Sequence, residues 1–524
     1  MDHLYSYADM VDVQATPIPD ISITLRKLRY LSMEDLDIDR GIPDDETLDL
    51  PSSPYCKFPV FHSHLDFILP SLFDRLPTEM IVMVFSFLDI SQANLLDVND
   101  GPWVLTQVCR RWRDIVVHCP LFWTHANLDL SCWHFTRTWP SSADLLVSTF
   151  LERSKELPLN VQIHWSDIEG APNHILNAVE HILNTSYRWK IAILDLHFTV
   201  YYELSSMIRA RLPQLEGLML MFNLSPKTSR NTLPTIDAFQ YAPKLRQVSI
   251  EGMPCATKNL QLPWDQLTHL NAYHDHPNPN YHCLRLSSSL VECHIGSHGD
   301  LLQSPKGIYP PISLPCLKKL FVKGTGALVL TYMVALNIEV LHVTDTPPAA
   351  CSEACIEAVQ YFILGCSESL KDLTLHSNPL DYRVAEILYS TRELIKLSLH
   401  LALPKGSSLF KDLLKWLSYR DVPRLKSSNP SASCSSGLLP RLESLSMRID
   451  PCSAGEEALD GMDVVALAKM LVSRWTMPRI SESHRGLKQL ESFDLEVLGS
   501  SPRRAEFSTL EALNEMGLKT RVIV

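Results

Sequence analysis

Three short sequences between residues 76 and 123 decide how this chain folds: LPTEMI at 76–81, VCRRWR at 108–113 and PLFW at 120–123. Pro77 suits the first turn of a helix, because the N–H that proline lacks would be unpaired there in any case. Glu79 places a negative charge in the same turn, where the helix dipole favours it. The first of the three sequences therefore predicts the start of a helix.

The residues that follow predict a small helical module. Four apolar residues continue the first helix at helical spacing: Ile81, Val84, Phe85 and Leu88. Residues 89–101 are polar and end in a Gly-Pro pair, which predicts a loop. A second helix is expected from about Trp103, with an apolar side formed by Leu105, Val108, Cys109 and Trp112. These pieces bury too little apolar surface to stand alone, so the module is expected to need a partner.

Together these sequences resemble the F-box, the helical module that docks on the Skp-type adaptor of a cullin–RING ubiquitin ligase. The resemblance looks closest to F-box proteins of mushroom-forming fungi and covers about a tenth of the chain. It departs from the family at Thr78, where a second proline is common, and in the long loop at 89–101. A helical hairpin packed only on its own domain is the alternative. The resemblance implies eight adaptor-binding residues: Leu76, Pro77, Ile81, Phe85, Leu105, Val108, Cys109 and Trp112.

Composition and charge argue against several classes of function. The chain has 524 residues, 46% of them hydrophobic and 20% charged, as in an ordinary globular protein. Its formal net charge is −12, and residues 1–50 carry −8 of it, with twelve acidic against four basic residues. Basic clusters, a secretory signal and a membrane-spanning run are all missing, so we expect no nucleic-acid or membrane partner. The 13 cysteines form no C-x-x-C pair, which predicts buried thiols and a cytoplasmic or nuclear location.

From residue 191 onward one apolar pattern recurs, in which the second apolar residue follows three positions after the first and the third two positions later. Its copies are Ile191/Leu194/Leu196, Leu215/Leu218/Leu220, Leu245/Val248/Ile250, Leu267/Leu270/Ala272, Leu290/Cys293/Ile295, Leu317/Leu320/Val322, Ile338/Leu341/Val343, Leu370/Leu373/Leu375, Leu394/Leu397/Leu399, Leu442/Leu445/Met447 and Leu490/Phe493/Leu495. Successive copies begin 21 to 32 residues apart, except for two intervals of 48, which are twice 24. This spacing is typical of leucine-rich repeats, whose short strands bury their apolar side only when units stack.

The predicted fold class is α/β: a small helical F-box module followed by an irregular leucine-rich-repeat solenoid with a curved parallel sheet. We expect a largely flexible acidic segment at 1–70, the F-box at 71–125, a helical joint at 126–185 and the repeat domain at 186–524. The Asn or Cys that usually follows each strand is mostly missing, which predicts irregular stacking. Further helices are expected at Ser142–Arg153, His174–Asn184, Leu409–Tyr419, Asp463–Trp475 and Leu510–Met516, a short one at Ile23–Leu36, and a mobile Ser-rich loop at Ser427–Gly437.

The outward positions between the buried leucines predict a binding face on the concave side of the sheet. Aromatic and basic side chains gather at one part of it, and aromatic anchors dominate interface energetics. The predicted target-binding residues are Tyr273, His294, Lys319, Phe321, Lys323 and His342. The alternative for each position is an ordinary solvated strand face.

Motifs of enzymes are missing from the chain: it has no P-loop, G-x-G-x-x-G, G-x-S-x-G or H-E-x-x-H sequence. Four possible metal ligands crowd one Pro- and Asn-rich stretch: His274, His276, His282 and Cys283. Their spacing matches no closed zinc pattern, so this stretch predicts a polar loop. We expect no catalytic residue, no metal and no cofactor.

These observations predict a non-catalytic substrate receptor of an SCF-type ubiquitin ligase. Its F-box would hold the Skp-type adaptor and, through the adaptor, the cullin, while the repeats hold a target protein. Two alternatives remain open: an interaction scaffold that takes no part in ubiquitination, and an enzyme whose pocket is hidden among the repeats.

Overall fold

The computed structural model describes the chain in fifteen ranges: 76–88, 90–131, 140–165, 172–223, 235–252, 259–274, 277–297, 309–344, 352–377, 380–403, 408–418, 438–451, 463–476, 488–498 and 507–523. All of them belong to one unit, Leu72–Val524. The acidic segment at 1–70, with the helix predicted at Ile23–Leu36, and the predicted Ser-rich loop at 427–437 lie outside the described residues.

The structure alternates helices and strands along the chain. The α-helices are α1 Thr78–Ser86, α2 Gly101–Val108, α3 Arg110–His118, α4 Ala143–Ser154, α5 Asn173–Asn184, α6 Phe198–Ile208, α7 Pro277–Leu286, α8 Ser352–Cys366, α9 Arg383–Ser390, α10 Leu409–Leu417, α11 Val464–Trp475 and α12 Ser508–Glu515. The strands are β1 His125–Asp129, β2 Leu159–Trp165, β3 Trp189–His197, β4 Gly217–Asn223, β5 Gln247–Glu251, β6 His269–His274, β7 Glu292–Ser297, β8 Ile312–Ser313, β9 Lys319–Gly324, β10 Met333–Val334, β11 Val340–Thr344, β12 Asp372–Ser377, β13 Lys396–Leu403, β14 Ser444–Pro451, β15 Ser492–Val497 and β16 Lys519–Ile523. Short 3₁₀ helices lie at Pro120–Trp123, Ser186–Arg188, Trp264–Gln266 and Thr325–Tyr332.

One parallel sheet organises the described part of the chain and confirms the predicted α/β solenoid. It holds 14 strands in the order β1-β2-β3-β4-β5-β6-β7-β9-β11-β12-β13-β14-β15-β16, and β8 and β10 form a separate pair. Apart from β8 and β10, which the order skips, neighbouring strands are successive along the sequence, as stacking of repeat units requires. The inward side chains of the strands and the apolar sides of the helices form one hydrophobic core.

The strand register confirms ten of the eleven predicted repeats. Their second apolar positions pair directly across the sheet, in the order Leu218, Val248, Leu270, Cys293, Leu320, Leu341, Leu373, Leu397, Leu445 and Phe493. All ten are buried. The repeated spacing in the sequence therefore corresponds to a column of core residues that runs across the sheet.

The first predicted repeat is wrong by two residues. Leu218 pairs with Ala192 and Leu220 pairs with Leu194, so the repeat is Trp189/Ala192/Leu194 rather than Ile191/Leu194/Leu196. A shift of two residues keeps every side chain on the same face of a strand, so the apolar alternation cannot reveal it. The buried Trp189 fills the place assigned to Ile191.

The sheet is longer than the repeats predicted from sequence. β2, and β1 apart from its first residue His125, lie inside the segment 126–185 that we expected to be a helical joint, so that segment contributes strands as well as helices. β16 follows the last predicted repeat and forms the other edge of the sheet. β2 does carry a two-apart alternation, at Leu159, Val161, Ile163 and Trp165, which is a strand signal that the expectation of a helical joint overlooked.

The five helices predicted after the module are present at α4, α5, α10, α11 and α12, with ends shifted by at most two residues. The predicted end of α10 at Tyr419 lies outside the described residues. Asp463 caps α11, because its carboxylate accepts a hydrogen bond from the Ala466 N–H at 2.8 Å.

A buried arginine ties the last helices to the connecting chain. Arg474 is 1% exposed, and its guanidinium donates to the backbone carbonyls of Leu417, Leu438 and Leu439, the last at 2.8 Å. Burial lowers the pKa of this guanidinium to about 10. Among the described residues the charge is stabilised by three carbonyl dipoles, of which that of Leu417 lies at the end of α10, and not by a carboxylate.

Candidate functional site

The first helix of the module carries two different apolar surfaces. Ile81 and Phe85 face inward, and the ring of Phe85 packs against Trp112 at 4.6 Å between centroids. The other side is exposed and apolar, and it continues through the two residues that follow α1. This exposed stripe consists of Met80, Met83, Val84, Phe87 and Leu88. Phe87 is 82% exposed, which is unusual for a phenylalanine and marks a surface that a partner can cover.

The eight predicted adaptor-binding residues divide into three groups by exposure. Ile81, Phe85 and Leu105 are buried in the core of the module. Leu76 and Trp112 are half-buried and pack against that core. Pro77, Val108 and Cys109 are exposed. Adaptor binding by all eight stays a prediction, and we expect the buried three to act by holding the module together.

The predicted second helix is two helices. The backbone at Cys109 is extended, with φ −156° and ψ 170°, so α2 ends at Val108 and α3 begins at Arg110. The thiol Sγ of Cys109 then caps α3 by accepting a hydrogen bond from the Trp112 N–H at 3.4 Å. Leu105 and Trp112 therefore lie on different helices, and a single apolar side joining them is wrong.

The polar loop before α2 is fastened to the repeat sheet. The Leu95 N–H donates to the Asn127 carbonyl of β1 at 2.7 Å, and the Asn94 side chain donates to the Asp129 carbonyl at 3.0 Å. Asn94 and Asn127 form an isolated parallel bridge. The loop ends at Gly101, whose φ of +53° favours glycine, and a Cβ there would lie 2.6 Å from the Cβ of Ala93.

An arginine joins the module to the first repeat through aromatic rings. The guanidinium of Arg153, on α4, lies 4.5 Å from the ring centroid of Trp123 and 5.1 Å from that of Trp103. The two indoles contact each other edge to face at 4.9 Å, and Trp123 also meets Phe150 of α4 at 5.5 Å. Burial among these rings lowers the pKa of Arg153. The module and the sheet thus share one packed interface.

The second surface lies on the open face of the sheet, which is the face opposite the buried leucines. Between β6 and β13 nearly all outward side chains are half-buried or exposed. The ring of Phe321 stacks on His294 at 4.1 Å with an angle of 14°, and it meets His342 edge to face at 4.9 Å. Three of the predicted target-binding residues therefore form one continuous aromatic row across β7, β9 and β11.

The charges beside this row are coupled. Glu292 contacts His294 Nε2 at 3.0 Å and Lys319 Nζ at 3.1 Å through its two carboxylate oxygens. The hydrogen bond from His294 is the main cause that lowers the pKa of Glu292 to about 2, and the Lys319 ammonium adds to it. Burial lowers the pKa of His269 on the neighbouring strand. Glu292 is accordingly ionised at neutral pH and holds two positively polarised groups in place.

Tyr273 and Lys323 lie on either side of a glycine. Gly296 is paired with both residues across the sheet, and a Cβ there would come within 2.5 Å of Tyr273 Cδ1. The tyrosine ring therefore lies over the glycine and approaches Lys323, whose Cβ is 3.4 Å from the same point. The structure brings all six predicted target-binding residues together on β6, β7, β9 and β11.

A second polar cluster lies on the next three strands, β12, β13 and β14. The rings of His376 and His400 are 4.0 Å apart, and His400 Nε2 contacts the Asp450 carboxylate at 2.6 Å. Arg448 lies 3.9 Å from the same carboxylate. The sequence does not reveal this cluster, because Asp450 lies 50 residues from His400 and beyond the repeated pattern.

The stretch predicted as a polar loop is a helix in its described part. α7 begins at Pro277, and the second proline, Pro279, also falls in the first turn, where the missing N–H groups carry no penalty. Cys283 is buried within it, His274 is buried at the end of β6, and His276 lies outside the described residues. Among described residues no group of three or more His, Cys, Asp or Glu is arranged to hold a metal ion. None of the helices in these ranges has the length and apolarity to cross a membrane.

Comparisons with known proteins identify the module and leave the repeats undefined. Residues 73–129 match the F-box-like family. No curated protein matches the chain. Among solved structures, an internalin from Listeria monocytogenes is 15% identical, with 61% of this chain and 79% of that chain covered and a TM-score of 0.26. TLR13 in the TLR13–ssRNA13 complex is 13% identical, with 77% and 62% covered and a TM-score of 0.33. The assignment of the repeat fold therefore rests on the strand register described above.

Proposed function

We propose that this chain is the substrate-recognition subunit of an SCF-type ubiquitin ligase. The observation that carries the proposal is that the F-box-like match at 73–129 coincides with a helical module bearing an exposed apolar stripe. In this proposal the stripe and the exposed residues Pro77, Val108 and Cys109 contact a Skp-type adaptor, which links the chain to a cullin. Covering the stripe removes apolar surface from water, which is the main driving force for such docking.

The open face of the repeat sheet would hold the target protein. The chain itself performs no chemical step in this proposal. A bound target near a charged conjugating enzyme gains effective concentration, and that placement is the contribution to catalysis. The fastening of the module loop to β1 and the packing of Arg153 support such a role, because a rigid connection fixes where the target is presented. A ligase subunit of this kind acts in the cytoplasm or the nucleus, which is the location we propose.

The test is reconstitution with a Skp-type adaptor and cullin from a mushroom-forming fungus. We expect the full chain to co-purify with both, and a Met83→Asp/Phe87→Asp variant to lose them while remaining folded. Leu145→Asp is the matched control, since Leu145 is also an exposed apolar residue but lies on α4, outside the stripe. Failure of the folded wild-type chain to bind the adaptor would refute the proposal.

A second readout separates a ligase subunit from a scaffold. Proteins captured by the chain in cell extract should become ubiquitinated when the reconstituted complex is supplied with activating and conjugating enzymes. The Met83→Asp/Phe87→Asp variant should capture the same proteins without modifying them. Adaptor binding with no ubiquitin transfer to any captured protein would favour the scaffold instead.

A further inference from the structure

The charge on the open face between β6 and β13 differs from that of the chain as a whole. The chain carries −12, whereas the outward positions of these six strands hold three lysines and two carboxylates, a net +1 before any histidine is protonated. The charged members are Lys319, Lys323, Lys396, Glu292 and Asp372. Five histidines lie among them: His269, His294, His342, His376 and His400. We call these outward positions the open-face patch.

Both carboxylates of the open-face patch already have cationic or imidazole neighbours. Glu292 contacts Lys319 and His294, and Asp372 lies 3.5 Å from His342 Nε2. Lys396 is exposed and has no ion pair within the described chain. The side chain of Lys319 is 52% exposed despite its contact. The open-face patch therefore carries a small cationic excess. Its acidic groups are turned toward its own basic groups, and Asp450 at its β14 edge lies 2.6 Å from His400 Nε2.

The open-face patch also offers one apolar contact at its centre. Phe321 lies between His294 and His342, with its ring half-buried in the aromatic row. Imidazole and phenyl rings present flat surfaces on which an aliphatic or aromatic side chain can pack. Lys319 and Lys323 lie two positions before and after Phe321 on the same face of β9. A partner that fits would combine negative charge with an apolar residue near its middle.

We infer that the open-face patch binds an extended acidic segment of the target protein, with an apolar side chain of that segment on Phe321. Acidic-segment binding rests on the proposed function and deepens it by naming the chemical class of the target protein. The six strands span about 24 Å at about 4.8 Å per neighbouring pair. An extended peptide crosses that distance in about seven residues. The overall acidity of the chain and the small number of lysines disfavour a nucleic-acid backbone, which basic clusters recognise.

The experiment measures binding of three labelled probes to the full chain by fluorescence anisotropy. The probes are an oligoglutamate of about eight residues with a central leucine, its oligoglutamine counterpart, and a single-stranded oligonucleotide of similar length. The oligoglutamate should bind roughly tenfold or more tightly than the oligoglutamine, the size of one or two surface ion pairs, and added salt should weaken it. Equal binding of the two peptides, or preferred binding of the oligonucleotide, would overturn the inference.

Variants with opposite expected effects guard against misfolding. Lys396→Glu should weaken oligoglutamate binding several-fold, whereas Lys469→Glu, an exposed lysine on α11 outside the open-face patch, should leave it unchanged. Glu292→Gln should strengthen binding several-fold, because it removes the charge that competes for Lys319. A merely damaged protein cannot show that gain, so unchanged or weaker binding by Glu292→Gln would refute the inference.

Adaptor binding of the same variants keeps the two proposals separate. Each variant should bind the Skp-type adaptor like the wild type, since the open-face patch is distant in sequence from the module. If the wild-type chain binds the adaptor but does not prefer oligoglutamate to oligoglutamine, only the inference of an acidic target is rejected. Selective oligoglutamate binding by a chain that binds no adaptor would reject the ligase proposal, while the open-face patch would still be identified as a binding site for acidic segments.

Discussion

Replacement of Phe85 or Phe87 by alanine should affect different properties of the module: stability for Phe85 and adaptor affinity for Phe87. Phe85 is 1% exposed and packs against Trp112 and Phe122, whereas Phe87 is 82% exposed. Removing a buried phenylalanine costs about 3–5 kcal/mol in the free energy of unfolding. Phe87→Ala should change that free energy by no more than about 0.5 kcal/mol, because it alters only an exposed site. Urea denaturation measures both values.

The adaptor affinity should show the effect of Phe87. A phenylalanine side chain that is fully covered buries about 200 Å², so Phe87 has about 160 Å² left to bury. At about 25 cal/mol per Å² this corresponds to about 4 kcal/mol. Half of that area covered by the adaptor gives about 2 kcal/mol, a loss of about 30-fold in affinity for Phe87→Ala.

Calorimetric titration with the Skp-type adaptor tests this expectation. Leu145→Ala is the control and should bind like the wild type, since Leu145 is exposed on α4 and not on the stripe. Adaptor affinity of Phe87→Ala equal to that of the wild type would refute the assignment of the stripe. A loss of stability in Phe87→Ala as large as that in Phe85→Ala would show that the side chain is not exposed as described.

Three further substitutions test the fold. Gly101→Ala should lower the free energy of unfolding, measured by urea denaturation, by about 1–3 kcal/mol, because the site has a positive φ and the added Cβ meets Ala93. Ala93→Gly in the same chain should restore only the loss caused by that steric contact, and the loss caused by the positive φ should remain. Arg474→Met should cost about 3 kcal/mol or more in the same assay, because three buried carbonyls lose their donors, and a neutral result would contradict its role. Glu292, whose pKa is lowered from 4.5 to about 2, adds stability that is complete above pH 4.5 and lost toward pH 2. Glu292→Gln should therefore flatten the pH dependence of unfolding in that window by about 1 kcal/mol after solvent screening, and an unchanged profile would refute the coupling.

The repeat sheet was predictable because its signal is redundant. Each strand places two apolar residues two positions apart in the core, and ten such pairs align across the sheet as the spacing predicted. The first repeat was wrong because Leu194 and Leu196 both face inward, so the pattern fits two registers equally well. Only the packing of Trp189 separates them, and packing is not visible in a periodic pattern.

The interaction surface of the module was less predictable for a physical reason. Helical spacing shows that Phe85 lies on an apolar side of α1, but α1 is apolar nearly all round, and the side that faces inward depends on where Trp112 and Phe122 lie. The break at Cys109 turns Trp112 toward Phe85, and no local propensity marks that break. The exposed stripe with Phe87 therefore emerges only from the folded structure.

The connection between the module and the repeats also covers an exposed edge strand of the parallel sheet. β1 is the first strand of the sheet, and an uncovered edge strand invites pairing with other chains. Here the module loop covers part of that edge through the Leu95 and Asn94 hydrogen bonds, so one set of contacts both protects the sheet and anchors the module. The seven strand spacings from β1 to β9 then fix the path along the sheet between the module and Phe321 at about 34 Å. In the proposed function a target held there would be presented at a set distance from the adaptor, which is what placement without chemistry requires.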